Sequence, residues 1–433
     1  MTAGQPTTAS VDRRSGDPLV ALSVWLDNAQ PGDILLVSFS LPRWWLPEVD
    51  EQALTAIYRK RRGLGFVCTV TDSDDIAASE LVRRGLTAWA EHRQLPLFSP
   101  GSPLQLSPLS IPKPWGREIW FTGAEERGLC QFSDGRYSLP IPWVQALLPD
   151  QAAGAADAPL VLLKILDPAA PEVTGDLYFE LHQEKREVYV VTHVDKRAWP
   201  DGVGGIRYGF DPQRLAAAAS EETFRQDYLD AVKAYESVRR EIDRLPEETA
   251  PDRQLQDEEQ RLRKEMDNFT FMRELRVGDV VVVPLLMPHS LQHGVRTIEF
   301  QTPVYERQIL SFAQKVLTQD HWDTAEAVAQ MRLTPPEYDH FDVLFEKEGV
   351  MVEQIVDFPD FEVRRVSLSP GRSLELDCGD SYQLLMMVEG KALVGDAVLG
   401  PEQAALLPSG QRFFLGHGDA AEALVALVAK PHS

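Results

Sequence analysis

The spacing of apolar residues over the first hundred positions predicts a mixture of strands and helices. "DILLVSFSLP" and "GFVCTVTD" carry the short apolar bursts of strands, whereas "VDEQALTAIYRK" and "DIAASELVRRGLTAWAEHRQL" carry apolar residues at helical spacing. The second helical stretch follows an aspartate pair that suits a helix N-cap. We therefore predict a small α/β module of unknown role at 18–105, preceded by a polar, disordered N-terminus at 1–17.

A stretch rich in Pro, Ser and Gly, "PLFSPGSPLQLSPLSIPKP", separates this module from strand-rich sequence. In 115–220 the bursts "LVLLKIL", "DLYFELH" and "EVYVVTHV" are punctuated by Gly, Pro and Asp, which is typical of short strands. Strands resume at "LRVGDVVVVPLLMPHSLQHGVRTIEFQ" and again over 345–433, with a helix-like piece at about 307–331. This many short strands favours two barrels or jelly rolls, one at 106–343 and one at 344–433.

The charged stretch 221–269 has apolar residues at alternating spacings of four and three and is broken by "LPEETAPD". This pattern predicts an antiparallel helical hairpin inserted into the first strand-rich block. The hairpin either packs on the main body or serves as a lid or dimer arm. Its apolar positions are Ala231, Tyr235, Val238, Ile242, Leu245, Leu255, Leu262, Met266 and Phe269.

The charge of the chain narrows the range of partners. Its 433 residues include 66 acidic and 43 basic side chains, which gives a formal net charge of −23. This argues against a general nucleic-acid binder, because phosphate contacts need clustered Lys and Arg, and against docking on anionic membranes. The three cysteines form no CxxC pair, and no stretch is long and apolar enough for a membrane span. We expect a cytoplasmic monomer or homodimer.

The segment "YFELHQEKREVYVV" contains three side chains that can bind a metal, at positions where apolar residues would be expected. A turn at 183–186 would make His182 and Glu187 face each other across a hairpin, with Cβ atoms about 4.5–5.5 Å apart. Glu180, two residues earlier, would share that face. Histidine and carboxylates together suit zinc and harder divalent transition metals. Alternatively, the hairpin lies on the surface and these residues are an ordinary polar face.

A further candidate ligand follows an apolar strand later in the chain. "MPHSLQHG" contributes His289 and His293 directly after "VGDVVVVPLL". A lone histidine at such a place is usually structural. A strand of the same barrel, however, would bring it close to a histidine and two carboxylates that still need a fourth ligand.

Six short motifs follow one another in an informative order: "KPWG", "LLKILD", "FELH", "KREVYVV", "VGDVVVVPLLMPHSL" and "IEFQTPVYER". In this order they resemble the type I mannose-6-phosphate isomerases of the cupin superfamily, over about 113–433. Near the C-terminus, "MMVEGKALV" and "ALLPSG" are similar to the family's second, metal-free jelly roll. The resemblance implies a mostly β fold with two cupin-type jelly rolls, of which the first binds the metal and contains the helical insertion. Residues 1–105 have no counterpart.

The resemblance also implies a metal site. In that family the metal is held by a Gln-x-His pair, by a Glu that follows Lys-x, and by a later His. These positions fall on Glu180, His182, Glu187 and His289, while His293 falls on a variable position. The implied cofactor is Zn²⁺, or alternatively Mn²⁺, Fe²⁺, Co²⁺ or Ni²⁺.

The implied activity is aldose–ketose isomerisation of a phosphorylated hexose, of the mannose 6-phosphate to fructose 6-phosphate type. A proton then moves between C1 and C2 through an enediol, which needs a Lewis acid and a base. Lys185 and Arg307 match family positions and would hold the negative charge of the enediolate or of the sugar phosphate. Glu299 and His293 are available as the base.

Three departures from the family pattern leave other functions open. Glu180 replaces the family's glutamine, the loop after His182 is cut to Gln183 and Glu184, and the arginine region reads "VYER". The alternatives are a metal-binding cupin of other activity, such as an oxygenase, or a non-catalytic protein that senses a sugar phosphate. In a third, the site is vestigial and the N-terminal module carries the function.

Overall fold

The computed structural model of the protein describes residues 10–63, 65–246, 249–317, 319–336, 340–417 and 422–432. The chain forms two compact units. One consists of Met1–Leu109, Trp120–Leu162 and Phe341–Ser433, and the other of Ser110–Ile119 and Leu163–His340. Within the described ranges, every helix is too short or too polar to cross a membrane.

The helices of the described residues are α1 (Pro18–Leu26), α2 (Ala78–Arg84), α3 (Leu86–His92), α4 (Ile141–Gln145), α5 (Asp150–Ala153), α6 (Pro212–Ala217), α7 (Glu221–Asp243), α8 (Arg253–Asp267) and α9 (Thr324–Gln330). The strands are β1 (Val11–Ser15), β2 (Ile34–Pro42), β3 (Glu51–Lys60), β4 (Phe66–Thr71), β5 (Leu104–Ser107), β6 (Leu109–Lys113), β7 (Gly116–Trp120), β8 (Ala124–Glu125), β9 (Gly128–Leu129), β10 (Gln131–Ser133), β11 (Ser138–Pro140), β12 (Leu162–Pro168), β13 (Phe179–Leu181), β14 (Glu187–Val194), β15 (Gly204–Phe210), β16 (Thr270–Leu275), β17 (Val280–Val283), β18 (His289–Leu291), β19 (Val295–Gln301), β20 (Gln308–Ser311), β21 (Asp342–Lys347), β22 (Val350–Asp357), β23 (Phe361–Leu368), β24 (Leu374–Asp377), β25 (Gln383–Glu389), β26 (Ala392–Val394), β27 (Ala397–Leu399), β28 (Ala404–Leu407), β29 (Arg412–His417) and β30 (Leu424–Pro431).

The N-terminal residues form a four-stranded sheet in the order β1-β2-β3-β4, with Trp89 of α3 buried in its core. The helix predicted for "VDEQALTAIYRK" is wrong, because this segment is β3 and pairs with a strand on each side. The disorder predicted for 1–17 is wrong at Val11–Ser15, which pairs in parallel with β2. Residues 1–9 lie outside the described ranges. The second predicted helix is present as α2 and α3, which meet at Gly85.

Two sheets share an apolar core in the unit that contains the C-terminus. A nine-stranded sheet has the order β11-β10-β5-β28-β25-β30-β23-β22-β21, and a four-stranded sheet has the order β24-β29-β26-β27. Leu385 of the first sheet and Leu415 of the second are fully buried in the same cluster of apolar side chains. Alternation along each strand therefore directs one face into this core.

The other unit also contains two sheets with a common interior. The six-stranded sheet has the order β17-β14-β19-β12-β7-β6, and the five-stranded sheet has the order β16-β15-β18-β13-β20. Val281 of the first and Ile206 of the second lie in the same buried cluster. These facing sheets carry most of the residues that the sequence singles out.

The predicted helical hairpin is confirmed as α7 and α8. The side chains of Ser220 and Asp252 cap the two helices by accepting hydrogen bonds from backbone N–H groups. Tyr228 and Tyr235 of α7 share a buried cluster with Phe179 of β13. The hairpin thus covers the outer face of the five-stranded sheet, as a packed element of this unit.

The mostly β class is confirmed, but the two predicted barrels are not. In the described part of the chain the strands form open sheets that face one another, and no sheet closes on itself. The helix-like piece predicted at 307–331 is wrong in its first part, which is strand β20, and correct at Thr324–Gln330, which is helix α9.

Candidate metal centre

The candidate ligands lie on two facing sheets and not on one hairpin. Strand β13 pairs with β18 and β20, whereas β14 pairs with β17 and β19. The hairpin predicted around 183–186 is therefore wrong, because the backbone groups of both strands bond to other strands and this segment passes between the sheets. His182 and Glu187 still meet, with His182 Nε2 3.4 Å from Glu187 Oε1.

Alternation along β13 directs Glu180 towards the interior, while Phe179 and Leu181 pack into the apolar cluster beneath the helical hairpin. Glu180 lies in register opposite His289 of β18. The ligand atoms of Glu180, His182 and His289 all lie within 4.8 Å of one another, and both histidines are buried. With Glu187, these residues form what we call the metal cluster.

Both histidines of the metal cluster are held by their Nδ1 atoms. His182 Nδ1 lies 2.9 Å from the carbonyl oxygen of Glu306, and His289 Nδ1 lies 3.0 Å from that of Met287. A carbonyl oxygen can only accept, so each Nδ1 carries a proton and each Nε2 faces the cluster. Burial, together with the charge of Lys185, lowers the pKa of His182 and favours its neutral form.

Glu187 lies between the two imidazoles. Its Oε1 accepts a bond from Lys185 Nζ at 2.7 Å, and its Oε2 lies 3.0 Å from His289 Nε2. Burial alone would raise the pKa of Glu187, but the charge of Lys185 and the contacts with the two histidines hold it well below its ordinary value. The result is a buried carboxylate anion, which suits a cation at the centre of the cluster.

Tyr189 adjoins the metal cluster and was not identified from the sequence. Its hydroxyl group donates to Glu187 Oε2 at 2.6 Å and lies 3.1 Å from His289 Nε2. Burial and the negative charge of Glu187 raise the pKa of Tyr189 well above its ordinary value, so the phenol keeps its proton. In "EVYVV" Tyr189 looks like an apolar strand residue. Its position two residues after Glu187, on the same face of the strand, was the sequence signal that could have identified it.

A row of polar side chains crosses the inner face of the six-stranded sheet beside the cluster. Glu299 and Gln301 of β19 lie in register opposite Tyr189 and Glu187 of β14. Lys164 of β12 donates to Gln301 Oε1 at 2.7 Å. All five side chains are buried.

The row continues to the far edge of the same sheet. Lys164 Nζ lies 3.7 Å from a carboxylate oxygen of Glu118 on β7, and Lys113 Nζ of β6 lies 3.0 Å from the other. We call Lys113, Glu118, Lys164, Glu299 and Gln301 the polar row. Sequence analysis missed Lys164, although a single lysine inside the apolar run "LLKIL" was a usable signal.

The surroundings of Glu299 in the polar row alter its titration. Burial raises the pKa of Glu299 to about 8, with Lys164 opposing this rise and the negative charge of Glu187 adding to it. A carboxyl group that gains and loses its proton near neutral pH is suited to proton transfer.

Arg307 lies next to the metal cluster. Its guanidinium group is stacked over the ring of Tyr178, 4.3 Å from the centroid, and lies 3.9 Å from Glu180 Oε2. Its positive charge therefore offsets part of the negative charge that Glu180 brings to the cluster.

His293 lies apart from the cluster and takes part in a different set of contacts. Its Nδ1 lies 2.7 Å from Asp176 Oδ1, and its ring stacks on Trp199 with centroids 4.8 Å apart. Trp199 Nε1 also donates to the carbonyl oxygen of His293. These contacts favour a structural role over the catalytic base suggested from the sequence.

The residues of the metal cluster fit a divalent cation. In the ranges that the structure describes, neither His182 Nε2 nor Glu180 Oε2 makes a hydrogen bond, although both atoms are buried. An unsatisfied buried polar group costs about 1–3 kcal/mol, and a bound cation would satisfy both. Two imidazoles with two carboxylates suit Zn²⁺ and also Mn²⁺ or Fe²⁺.

The arrangement of strands and helices in this chain is similar to the fold of solved mannose 6-phosphate isomerases. The mannose 6-phosphate isomerase from Bacillus subtilis has this fold at 16% identity and a TM-score of 0.55, with 76% of this chain and 99% of that chain covered. A variant of phosphomannose isomerase from Salmonella typhimurium matches at 14% identity and a TM-score of 0.52, over 75% and 99% of the chains. A zinc-bound mannose 6-phosphate isomerase matches at 13% identity and a TM-score of 0.51, with 75% of this chain and 99% of that chain covered. No protein-family model and no curated protein matches the sequence.

Proposed function

We propose that this protein is a metal-dependent aldose–ketose isomerase that acts on a phosphorylated hexose, of the mannose 6-phosphate to fructose 6-phosphate type. One observation carries the proposal: a largely buried cluster of two histidines and two carboxylates adjoins the polar row, in which Lys164, Glu118 and Glu299 are buried. Metal ligands alone would suit many cupins. Buried lysines beside them favour a substrate that is, or becomes, an anion.

Glu180, His182, Glu187 and His289 would hold the metal. When bound there, a divalent ion supplies Lewis acidity that stabilises negative charge on the oxygens of an enediolate. His182 and His289 are oriented for this by backbone carbonyls. Zn²⁺ is the proposed ion, with Mn²⁺, Fe²⁺, Co²⁺ and Ni²⁺ as alternatives.

The protein's own side chains would bind the substrate and move the proton. Lys185 and Lys164 provide buried ammonium groups, and Arg307 provides a guanidinium group at the edge of the cluster. These cations would hold the phosphate or the oxygens at C1 and C2. Glu299 would move the proton between C1 and C2, since it is buried in the polar row and His293 is engaged with Asp176.

The proposal extends to the organisation of the chain. The metal-binding jelly roll would lie within 106–343, with the hairpin as its insertion but without Trp120–Leu162. Residues 344–433 would supply most of a metal-free jelly roll, to which β5, β10 and β11 add strands. Support comes from the two pairs of facing sheets: among the residues that the structure describes, the metal cluster lies in the pair that carries β13 and β14. The module at 18–105 would have a separate role.

The first test is metal analysis of the purified protein beside a Glu187→Ala, His289→Ala double variant. We expect about one equivalent of metal in the wild type and none in the variant, as for a single mononuclear site. His321→Ala is the matched control, because this exposed histidine lies outside the metal cluster and should leave the metal content unchanged. An assay of mannose 6-phosphate conversion follows on the loaded protein.

Each outcome bears on the proposal. A wild type without metal, even after zinc or manganese is supplied, would rule out a metal isomerase. Loaded protein that leaves mannose 6-phosphate and other hexose 6-phosphates unchanged but consumes dioxygen would favour the oxygenase alternative. Conversion to the ketose that disappears with the metal supports the isomerase.

A further inference from the structure

Glu187 is held by one donor on each of its carboxylate oxygens. Lys185 Nζ donates to Oε1 at 2.7 Å, and the Tyr189 hydroxyl donates to Oε2 at 2.6 Å. Two donors on opposite oxygens fix both the position and the rotation of a carboxylate plane. The lysine belongs to the motif shared with the isomerase family, whereas the tyrosine was found only from the geometry of the site.

The same hydroxyl group lies close to the imidazole of His289. The Tyr189 oxygen, Glu187 Oε2 and His289 Nε2 form a triangle with sides of 2.6, 3.0 and 3.1 Å. A phenol has a single proton, and the shorter contact shows that it points to the carboxylate. The phenol proton is consequently not donated to His289 Nε2, and the other ring nitrogen of His289 is bonded to a backbone carbonyl.

We propose that Tyr189 is a positioning residue of the metal centre, which holds the carboxylate of Glu187 in its ligand orientation and does not donate its proton to Nε2 of His289. This assignment rests on the metal centre of the proposed function. Groups that orient metal ligands in this way typically change metal affinity by about 10–100-fold when they are removed.

The test is Tyr189→Phe, which removes one oxygen atom and retains the ring that packs in the core. Co²⁺ is titrated into the metal-free protein, and the dissociation constant is measured by competition with a chelator together with the visible spectrum of the bound ion. We expect binding about 10–100-fold weaker than in the wild type, with an altered spectrum. Tyr208→Phe is the matched control, because the Tyr208 hydroxyl is equally buried but donates to the carbonyl oxygen of Val282.

A double-variant comparison tests whether Tyr189 acts through Glu187. In a Glu187→Gln background, Tyr189→Phe should have little further effect on Co²⁺ affinity. An equal loss in both backgrounds, or an unchanged affinity and spectrum in the single variant, would overturn the assignment. A phenolate-to-iron charge-transfer band in wild-type protein loaded with Fe³⁺ would also overturn it, because Tyr189 would then be a direct ligand. This last measurement needs no variant to fold.

Titration of the wild type separates the two proposals. A wild type that binds Co²⁺ while Tyr189→Phe behaves like Tyr208→Phe refutes the role of the tyrosine and leaves the metal centre intact. A wild type that binds no Co²⁺ refutes the metal centre and the positioning role together.

Discussion

The two pairs of facing sheets enclose interiors of different character. Between the nine-stranded and four-stranded sheets the core is apolar, with Leu385, Met387 and Leu415 fully buried. Between the six-stranded and five-stranded sheets, apolar residues share the interior with the metal cluster and the polar row. Similar layers of strands therefore enclose an apolar core in one case and a core with buried charged groups in the other.

The difference between the two interiors predicts which residues matter for activity and which for stability. Burying charges is costly even when they are paired, and apolar residues of similar size often give equal or better stability. A charged interior thus points to a function that an apolar core would lose. Substitutions inside the polar interior should impair activity more than stability, and those inside the apolar interior should do the reverse.

The largest expected effect is on turnover, from Glu299→Gln. The amide keeps the size of the side chain but cannot exchange a proton with the substrate, so we expect kcat to fall by about 10²–10⁴-fold with metal content and melting temperature retained. Steady-state kinetics with mannose 6-phosphate measures this. Glu353→Gln, which alters a glutamate paired with Arg365 in the other unit, is the control. Comparable activity in both variants would remove Glu299 from the mechanism.

The next effect is on stability, from Leu385→Ala in the apolar interior. Loss of a fully buried leucine side chain leaves a cavity, and we expect the free energy of unfolding to fall by about 2–5 kcal/mol. Metal affinity and kcat/KM of the folded protein should be unchanged. Leu393→Ala, at a leucine that is 46% exposed, should cost far less. Denaturant titration measures the loss of stability, and metal titration measures the affinity. A change in metal affinity for Leu385→Ala would contradict the contrast between the two interiors.

The smallest effect concerns Asp176, a charged group of the same unit that bonds to His293 and also faces Arg207 and Asp267. Burial alone would raise the pKa of Asp176, but its hydrogen bonds with His293 hold it below the ordinary value. Its contribution to stability is therefore present above the unfolded pKa of about 3.9 and is lost as the pH falls through the lower folded pKa.

We expect Asp176→Asn to lower the free energy of unfolding by about 1–3 kcal/mol at neutral pH. The difference from the wild type should shrink as the pH falls below about 4. Thermal melts across this pH range measure it, with Asp257→Asn on the exposed side of α8 as the control. A constant difference at all pH values would show that Asp176 acts through packing and not through its charge.

The chemistry of the site was more predictable from the sequence than its geometry. Glu180, His182 and His289 could be recognised because histidines and carboxylates interrupt apolar strands at metal-binding spacing. The hairpin prediction was nevertheless wrong, because β13 and β14 each pair with strands far along the chain and not with each other. Pairing between distant strands is set by the whole fold, and the local pattern around 183–186 contains no information about it.

The misread elements have the same cause. In β3, Leu54, Ile57 and Tyr58 follow one another at helical spacing, but the strand is buried between two neighbours, so its apolar residues occupy both faces. Lys164 and Tyr189 were missed because each is a single polar group in an apolar run. Their roles emerge only when strands β12, β14 and β19 lie side by side.

The chain passes from one sheet to the other at 183–186, and this affects how the stability of the protein would depend on its metal. Glu180 and His289 belong to one sheet, His182 directly follows β13 of that sheet, and Glu187 belongs to the other sheet. The proposed ion would therefore link the two sheets. An ion that binds only the folded state adds about 4 kcal/mol of stability at a thousandfold excess over its Kd. A protein built in this way would persist when its metal is plentiful and become a substrate for proteases when the metal is scarce, so that its abundance follows the supply of the ion.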